Sequence, residues 1–157
     1  MNISSDHRIS WLSEALGLAK KCEPTSTAYN VGCVITTDGS DPRRVADGYS
    51  RELPGNTHAE ECAINKLTMF SEPLVLYSTM EPCSTRLSGK ESCTKRILAC
   101  PMIRTVVIGV REPDKFVKCE GVDELREHGV VVLFGDDEQL AEEALKLATI
   151  GHHEREQ

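Results

Sequence analysis

Five short runs of β-branched and apolar residues alternate with stretches of helical spacing, and this alternation limits the fold more than any other feature of the chain. The runs are Val31 to Thr36, Arg44 to Tyr49, Leu74 to Thr79, Thr105 to Val110 and Val130 to Phe134, with Asp38-Gly39 as the turn between the first two. Helical spacing appears at Ile9, Leu12, Leu16 and Ala19, after a cap at Ser5 or Asp6 and before Pro24. It returns at Ala59, Cys62, Ala63, Leu67 and Phe70, and helices are also predicted over Glu91 to Ala99, Asp123 to His128 and Asp137 to Ala148. Strands interleaved with helices in this order predict an α/β fold: a three-layer α/β/α sandwich with a five-stranded mixed sheet. The 157 residues hold no repeat and no Pro/Gly-rich linker, so 1–150 is expected to be a single domain and 151–157 a mobile polar tail.

Charge and cysteine usage narrow the function. Net charge is −7, and basic residues cluster only in pairs such as Arg43-Arg44 and Lys95-Arg96. Proteins that hold long nucleic acids draw most of their affinity from phosphate neutralisation, so a small-molecule substrate is expected and a nucleic-acid partner is not. The longest apolar runs are too short for a bilayer, and Met1 to Arg8 has no apolar signal core. No membrane partner is expected, and the expected location is cytoplasmic, with the nucleus not excluded. Seven cysteines, an odd number without a secretion signal, point to reduced thiols: buried small hydrophobes, metal ligands or catalytic groups.

Two segments carry a chemical pattern. Thr57-His58-Ala59-Glu60 opens the second helix, and Glu81-Pro82-Cys83 follows the Leu74 strand, with Cys93 ten positions beyond Cys83. Helix starts beside strand ends are where α/β folds assemble sites, because several backbone N–H groups are unpaired there. Neutral imidazole and thiolates hold zinc, and three protein donors leave a fourth position for water. His58, Cys83 and Cys93 are therefore the predicted metal ligands, with Zn2+ as cofactor. Glu60 is the predicted catalytic group: a carboxylate beside a metal-acidified water takes its proton and passes it to a ring nitrogen, then to departing ammonia. An H-x-E motif followed by Pro-Cys is the pattern of zinc deaminases, although nine residues separate Cys83 from Cys93 where the common pattern has two.

Ordinary structural roles compete for the same residues. Thr57-x-x-Glu60 also satisfies the capping-box pattern. Cys62, four residues after His58, shares its helical face but lies among Ala59, Ala63 and Leu67, as a core residue would. Cys22, Cys33, Cys100 and Cys119 have no partner pattern.

At Ala28 to Val34, Gly48 to Glu60 and Met80 to Lys90 the sequence resembles the cytidine deaminase-like superfamily, in particular its fungal riboflavin-pathway branch. The long spacing between Cys83 and Cys93 is similar to that of riboflavin-pathway deaminases generally. The resemblance implies hydrolysis of 2,5-diamino-6-ribitylamino-4(3H)-pyrimidinone 5′-phosphate to 5-amino-6-ribitylamino-2,4(1H,3H)-pyrimidinedione 5′-phosphate and ammonia. It implies zinc-hydroxide attack with Glu60 as proton shuttle, and a homodimer. A phosphorylated pyrimidine needs an anion site, for which Ser84, Thr85, Arg86, Ser88 and Lys90 offer hydroxyls and cations beside a helix start. Asn56 is the candidate contact for ring substituents and Asn30 for the ribityl chain. Three other readings stay open: a deaminase of cytosine, cytidine or tRNA on the same fold, a non-catalytic zinc module closed by a fourth ligand such as Cys62 or Cys100, and a thiol nucleophile formed by Cys83 and His58.

Overall fold

The computed structural model describes residues 3–68, 70–113 and 119–152. Helix α1 (Ser5–Ala19) starts one residue earlier than the sequence suggests, because Ser4 caps it by accepting the His7 N–H at 3.2 Å. There follow β1 (Gly32–Thr37), β2 (Arg44–Tyr49), α2 (Ala59–Asn65), β3 (Leu74–Met80) and α3 (Cys93–Leu98). The chain continues with β4 (Ile103–Val110), α4 (Gly121–Glu127), β5 (Val131–Phe134) and α5 (Glu138–Ala148). The strands form one sheet in the order β2-β1-β3-β4-β5. Pairing is antiparallel from β2 through β1 to β3 and parallel from β3 through β4 to β5, the mixed sheet the sequence predicts.

Alternation along the strands assigns side chains to two layers. Val34, Val75, Tyr77 and Val107 pack in one cluster with Leu12 and Leu16 of α1 and Leu140 of α5. Their neighbours Cys33, Ile35, Leu76 and Ile108 pack in the other with Ala63 of α2, Ile97 of α3 and Leu125 of α4. All seven residues of β3 are buried, as a strand covered on both faces requires. Cys62 is wholly buried, the packing role expected for it.

Helix α2 is shorter than its apolar spacing predicts. It ends at Asn65, and the Lys66 and Leu67 N–H groups turn back onto the Ala63 and Ile64 carbonyls at 3.1 and 3.0 Å. Leu67 and Phe70 still pack against the core without being helical, so their spacing reported burial and not backbone conformation. Two glycines set the neighbours of the later site. A Cβ on Gly48 would lie 2.5 Å from the Ala59 carbonyl oxygen, and one on Gly121 would lie 2.1 Å from that of Pro82. Only glycine lets α2 start against β2 and the Pro82-Cys83 turn sit against α4.

Packing continues past the expected domain end at 150. His152 Nε2 lies 2.7 Å from the Ala28 carbonyl oxygen, and its ring centroid is 5.3 Å from that of Tyr29. The rest of the expected tail, 153–157, lies outside the described residues. Among the described residues no helix is long and apolar enough to cross a membrane.

Candidate active site

Three elements converge at the metal-donor set. His58 is the N-cap residue of α2, Cys83 follows β3 after Glu81-Pro82, and Cys93 is the first residue of α3. His58 Nδ1 lies 3.6 Å from Cys83 Sγ and 3.4 Å from Cys93 Sγ, and the three donor atoms all fall within 4.8 Å of one another. A tetrahedral zinc with Zn–S of about 2.3 Å and Zn–N of about 2.0 Å requires N···S edges of about 3.5 Å, so the donors fit the ion. The α3 start supports the pair: the Cys93 N–H donates to Cys83 Sγ at 3.3 Å, and the Thr94 hydroxyl donates to the Cys83 carbonyl at 2.8 Å. The hydrogen bond between the two sulfurs pulls the Cys83 thiol far below its usual range, with His58 adding to the effect against burial. The same bond, together with burial, drives Cys93 well above that range.

Glu60 points into the same space. It is 4% exposed, and its Oε2 accepts a weak hydrogen bond from Ser78 Oγ at 3.4 Å. Burial raises its carboxyl to about 7, helped by the Cys83 charge and opposed by His58, its own N–H and Ser78. The capping box that competed for Glu60 lies one residue further on. Glu61 occupies the third helical position, and its Oε1 accepts the His58 N–H at 3.1 Å. That register leaves the Glu60 carboxylate free of capping.

A half-open cleft runs over these residues, and four of the seven candidate substrate contacts line it: Asn56, Thr85, Arg86 and Ser88. The other three are turned to structural work. Asn30 is buried; its amide donates to the Leu147 and Ile150 carbonyls at 3.0 and 2.9 Å and its oxygen accepts from Arg51, so it ties the end of α5 to the chain before β1. Ser84 Oγ accepts the Glu120 N–H at 2.9 Å, and Lys90 Nζ donates to the Gly55 carbonyl at 2.7 Å. Arg86 lines the cleft, yet its guanidinium is committed to Glu61 at 3.0 Å and to the Asn56 carbonyl at 3.0 Å. The loop between the two cysteines is therefore held by its cations, which the sequence had suggested for phosphate.

Three acidic or basic residues of the site carry no assigned role in the sequence reading. Arg51 lines the cleft in a left-handed conformation (φ 62°), donating to the Glu23 and Tyr29 carbonyls. Glu112, two residues past the end of β4, also lines it, and burial followed by the Cys83 charge raises its carboxyl to about 7. Glu81 is buried and accepts the Glu112 and Val122 N–H groups at 3.1 and 3.0 Å, one on each carboxylate oxygen. Glu112 was the readable one, since ligands gather beyond the carboxyl ends of parallel strands.

Residues 5–110 match the cytidine and deoxycytidylate deaminase zinc-binding region. The chain belongs to that family. The deaminase domain is 50% identical over 151 residues to the diaminohydroxyphosphoribosylamino-pyrimidine deaminase of Schizosaccharomyces pombe, covering 90% of this chain and 35% of that protein. It thus spans about a third of the length of that curated relative. Among solved structures it superposes on the Aspergillus oryzae Rib2 deaminase (a C-terminal deletion mutant) with a TM-score of 0.82 at 34% identity, covering 93% of this chain and 92% of that one. The same Aspergillus protein in complex with DARIPP matches with a TM-score of 0.80 at 32% identity, covering 96% and 93%. The five-stranded sheet of this deaminase domain is that of the cytidine deaminase-like fold. Zinc is its cofactor, with His58, Cys83 and Cys93 positioned to hold it.

Proposed function

We propose that the chain is the riboflavin-pathway deaminase that hydrolyses 2,5-diamino-6-ribitylamino-4(3H)-pyrimidinone 5′-phosphate to the corresponding 2,4-dione and ammonia. The observation that carries this reading is the donor triangle of His58, Cys83 and Cys93, with the buried Glu60 carboxylate lining one cleft together with His58 and Cys83. The likeness to the S. pombe deaminase and to the Rib2 deaminase solved with DARIPP supports the substrate class.

Zinc bound by the three donors supplies a Lewis acid that acidifies a water molecule. Glu60 accepts a proton from the attacking water and delivers it to the ring nitrogen next to the amino-bearing carbon. Burial raises its carboxyl in the metal-free site, which favours the protonated half of that transfer. The C–N bond then breaks, and Glu60 carries the second proton of the water to the leaving amine, which departs as ammonia while the ring carbon becomes a carbonyl. Asn56, also in the left-handed region (φ 56°), presents its side chain from the loop before α2 to the ring substituents. With Arg86 committed to Glu61, Arg51 is the remaining cation among the described residues of the lining. Three of its five N–H donors are engaged and two are left for the phosphate.

Ammonia release tests the assignment on four compounds: the ribitylamino-pyrimidine phosphate, its ribosyl form, cytidine and cytosine. Turnover confined to the ribityl phosphate is the expected result. Turnover of cytidine alone would keep the hydrolysis and discard the pathway. The active assembly is a homodimer in this reading, and a monomer mass by light scattering would remove that part.

A further inference from the structure

The nine residues between Cys83 and Cys93 must place two thiolates in one frame with an imidazole from another helix. A single carboxylate outside the reaction touches all three segments that carry the donors. Glu61 is 8% exposed. Its Oε1 accepts the His58 backbone N–H at 3.1 Å and the Arg86 Nη1 donor at 3.0 Å, and its Oε2 lies 3.3 Å from Arg96 Nη2. Arg86 is the third of the nine residues of the inter-cysteine loop, and Arg96 lies on α3 one turn after Cys93. His58 therefore meets Glu61 directly, the loop meets it through Arg86, and α3 meets it through Arg96.

We propose that Glu61, clasped by Arg86 and Arg96, is the positioning carboxylate of the zinc site, fixing the three donors relative to one another before the metal binds. This inference rests on the reading of His58, Cys83 and Cys93 as the ligands. The Arg86 side chain is only 2% exposed and spans three acceptors: Glu61, the Asn56 carbonyl at 3.0 Å and the Glu91 carbonyl at 3.4 Å. One acceptor belongs to α2, one to the turn before it and one to the loop itself. Only a planar guanidinium spans such a set; an ammonium is a point charge on a flexible stem. A buried ion cluster of this kind gives little net stability over an apolar replacement, because desolvation offsets the attraction. What it does provide is geometry. Ordering a long loop costs conformational entropy, and a loop already tied through Arg86 incurs that cost on folding and not on metal binding. Partners one shell beyond metal ligands commonly change metal affinity by ~10–100-fold.

The test uses zinc-loaded wild type, Glu61→Gln, Arg86→Met, Arg86→Lys and the Glu61→Gln/Arg86→Met double variant. Zinc release to excess chromogenic chelator is timed, thermal melting is recorded on the same samples, and cobalt-loaded protein is scanned for its absorption spectrum. Release is expected to quicken ~10–100-fold in Glu61→Gln and Arg86→Met, and less in Arg86→Lys, with a perturbed cobalt spectrum in each. The double variant also removes the buried Arg86 guanidinium that Glu61→Gln leaves unmatched, so its melting temperature recovers above that of Glu61→Gln while release stays fast. An ion pair serving stability alone would make release and melting recover together, and that result would overturn the proposal. Release within about twofold of wild type in the folded single variants would also overturn it; Arg86→Lys and the double variant carry the test if Arg86→Met does not fold. A wild type that retains no more zinc than His58→Ala would instead remove the ligand assignment.

Discussion

Two regions on opposite faces of the sheet, the layer under α1 and α5 and the starts of α2 and α3, are built on different terms. Under α1 and α5, Leu12, Leu16, Val75, Tyr77, Val107 and Leu140 bury apolar surface against one another. Around the starts of α2 and α3 the other face buries Glu60, Glu61, Arg86 and Thr94 beside Cys83 and Cys93. On the first face every contact helps, at about 25 cal/mol for each Å² taken out of water. On the second, burial of charge costs free energy and is offset only by specific partners. The difference separates what keeps the chain folded from what it does, and each region should fail in its own way.

The largest effect belongs to the donor set. Cys83→Ser or His58→Ala is expected to lower turnover by more than about a thousandfold, because water then has no metal to bring its pKa from ~15.7 towards ~7. Metal analysis of the purified variants should show zinc reduced to a trace, while chelator-treated wild type and variants melt alike. Leu12→Ala should do the reverse. It should cost about 2–5 kcal/mol by denaturant midpoint while leaving zinc content and KM as in wild type. Zinc falling in step with the midpoint would show that the faces are not separable.

Smaller effects sharpen the site itself. Arg51→Met should raise KM about tenfold on the phosphorylated substrate, the size expected for one charge-assisted hydrogen bond, and scarcely on its dephosphorylated form. Equal effects on both would move the phosphate elsewhere. Smallest is a change of slope with pH. Glu112 has its carboxyl raised from 4.5 to about 7 by burial and then by the Cys83 charge. A raised carboxyl binds its proton more tightly when folded, so its contribution is full below about 4.5 and is lost as pH rises through about 7. Melting temperatures of chelator-treated protein should fall across that window, and Glu112→Gln should flatten part of the fall. Glu60, shifted the same way, adds to the fall, and Cys83, whose thiol is held far below its usual range, opposes it. An unchanged slope would place Glu112 in water.

The donor triangle was legible because few ordinary structures need a histidine at a helix start, a Pro-Cys after a strand and a cysteine at the next helix start. The strand edges were legible too, with β2 matching its predicted span of Arg44–Tyr49. Side-chain destinations were not. Asn30 bonds to carbonyls of residues 147 and 150, and nothing in its own neighbourhood records that distant helix end. Arg86 reads as a phosphate cation in a loop rich in hydroxyls until Glu61 is found across the gap. Glu61 itself was hidden by one residue of register: Thr57 and Glu60 satisfy the same spacing rule as His58 and Glu61, and only the start of α2 at Ala59 decides between them.

The most direct test of the site's chemistry is ammonia release from the ribitylamino-pyrimidine phosphate by Glu60→Gln, with zinc measured on the same sample. Glutamine keeps the shape of the side chain and removes its capacity to carry a proton. Turnover should fall by about 10²–10⁴-fold while zinc stays at the wild-type ratio per chain. Turnover within a few-fold of wild type, or loss of zinc along with activity, would contradict the assignment of Glu60 as the proton carrier beside a metal held by His58, Cys83 and Cys93.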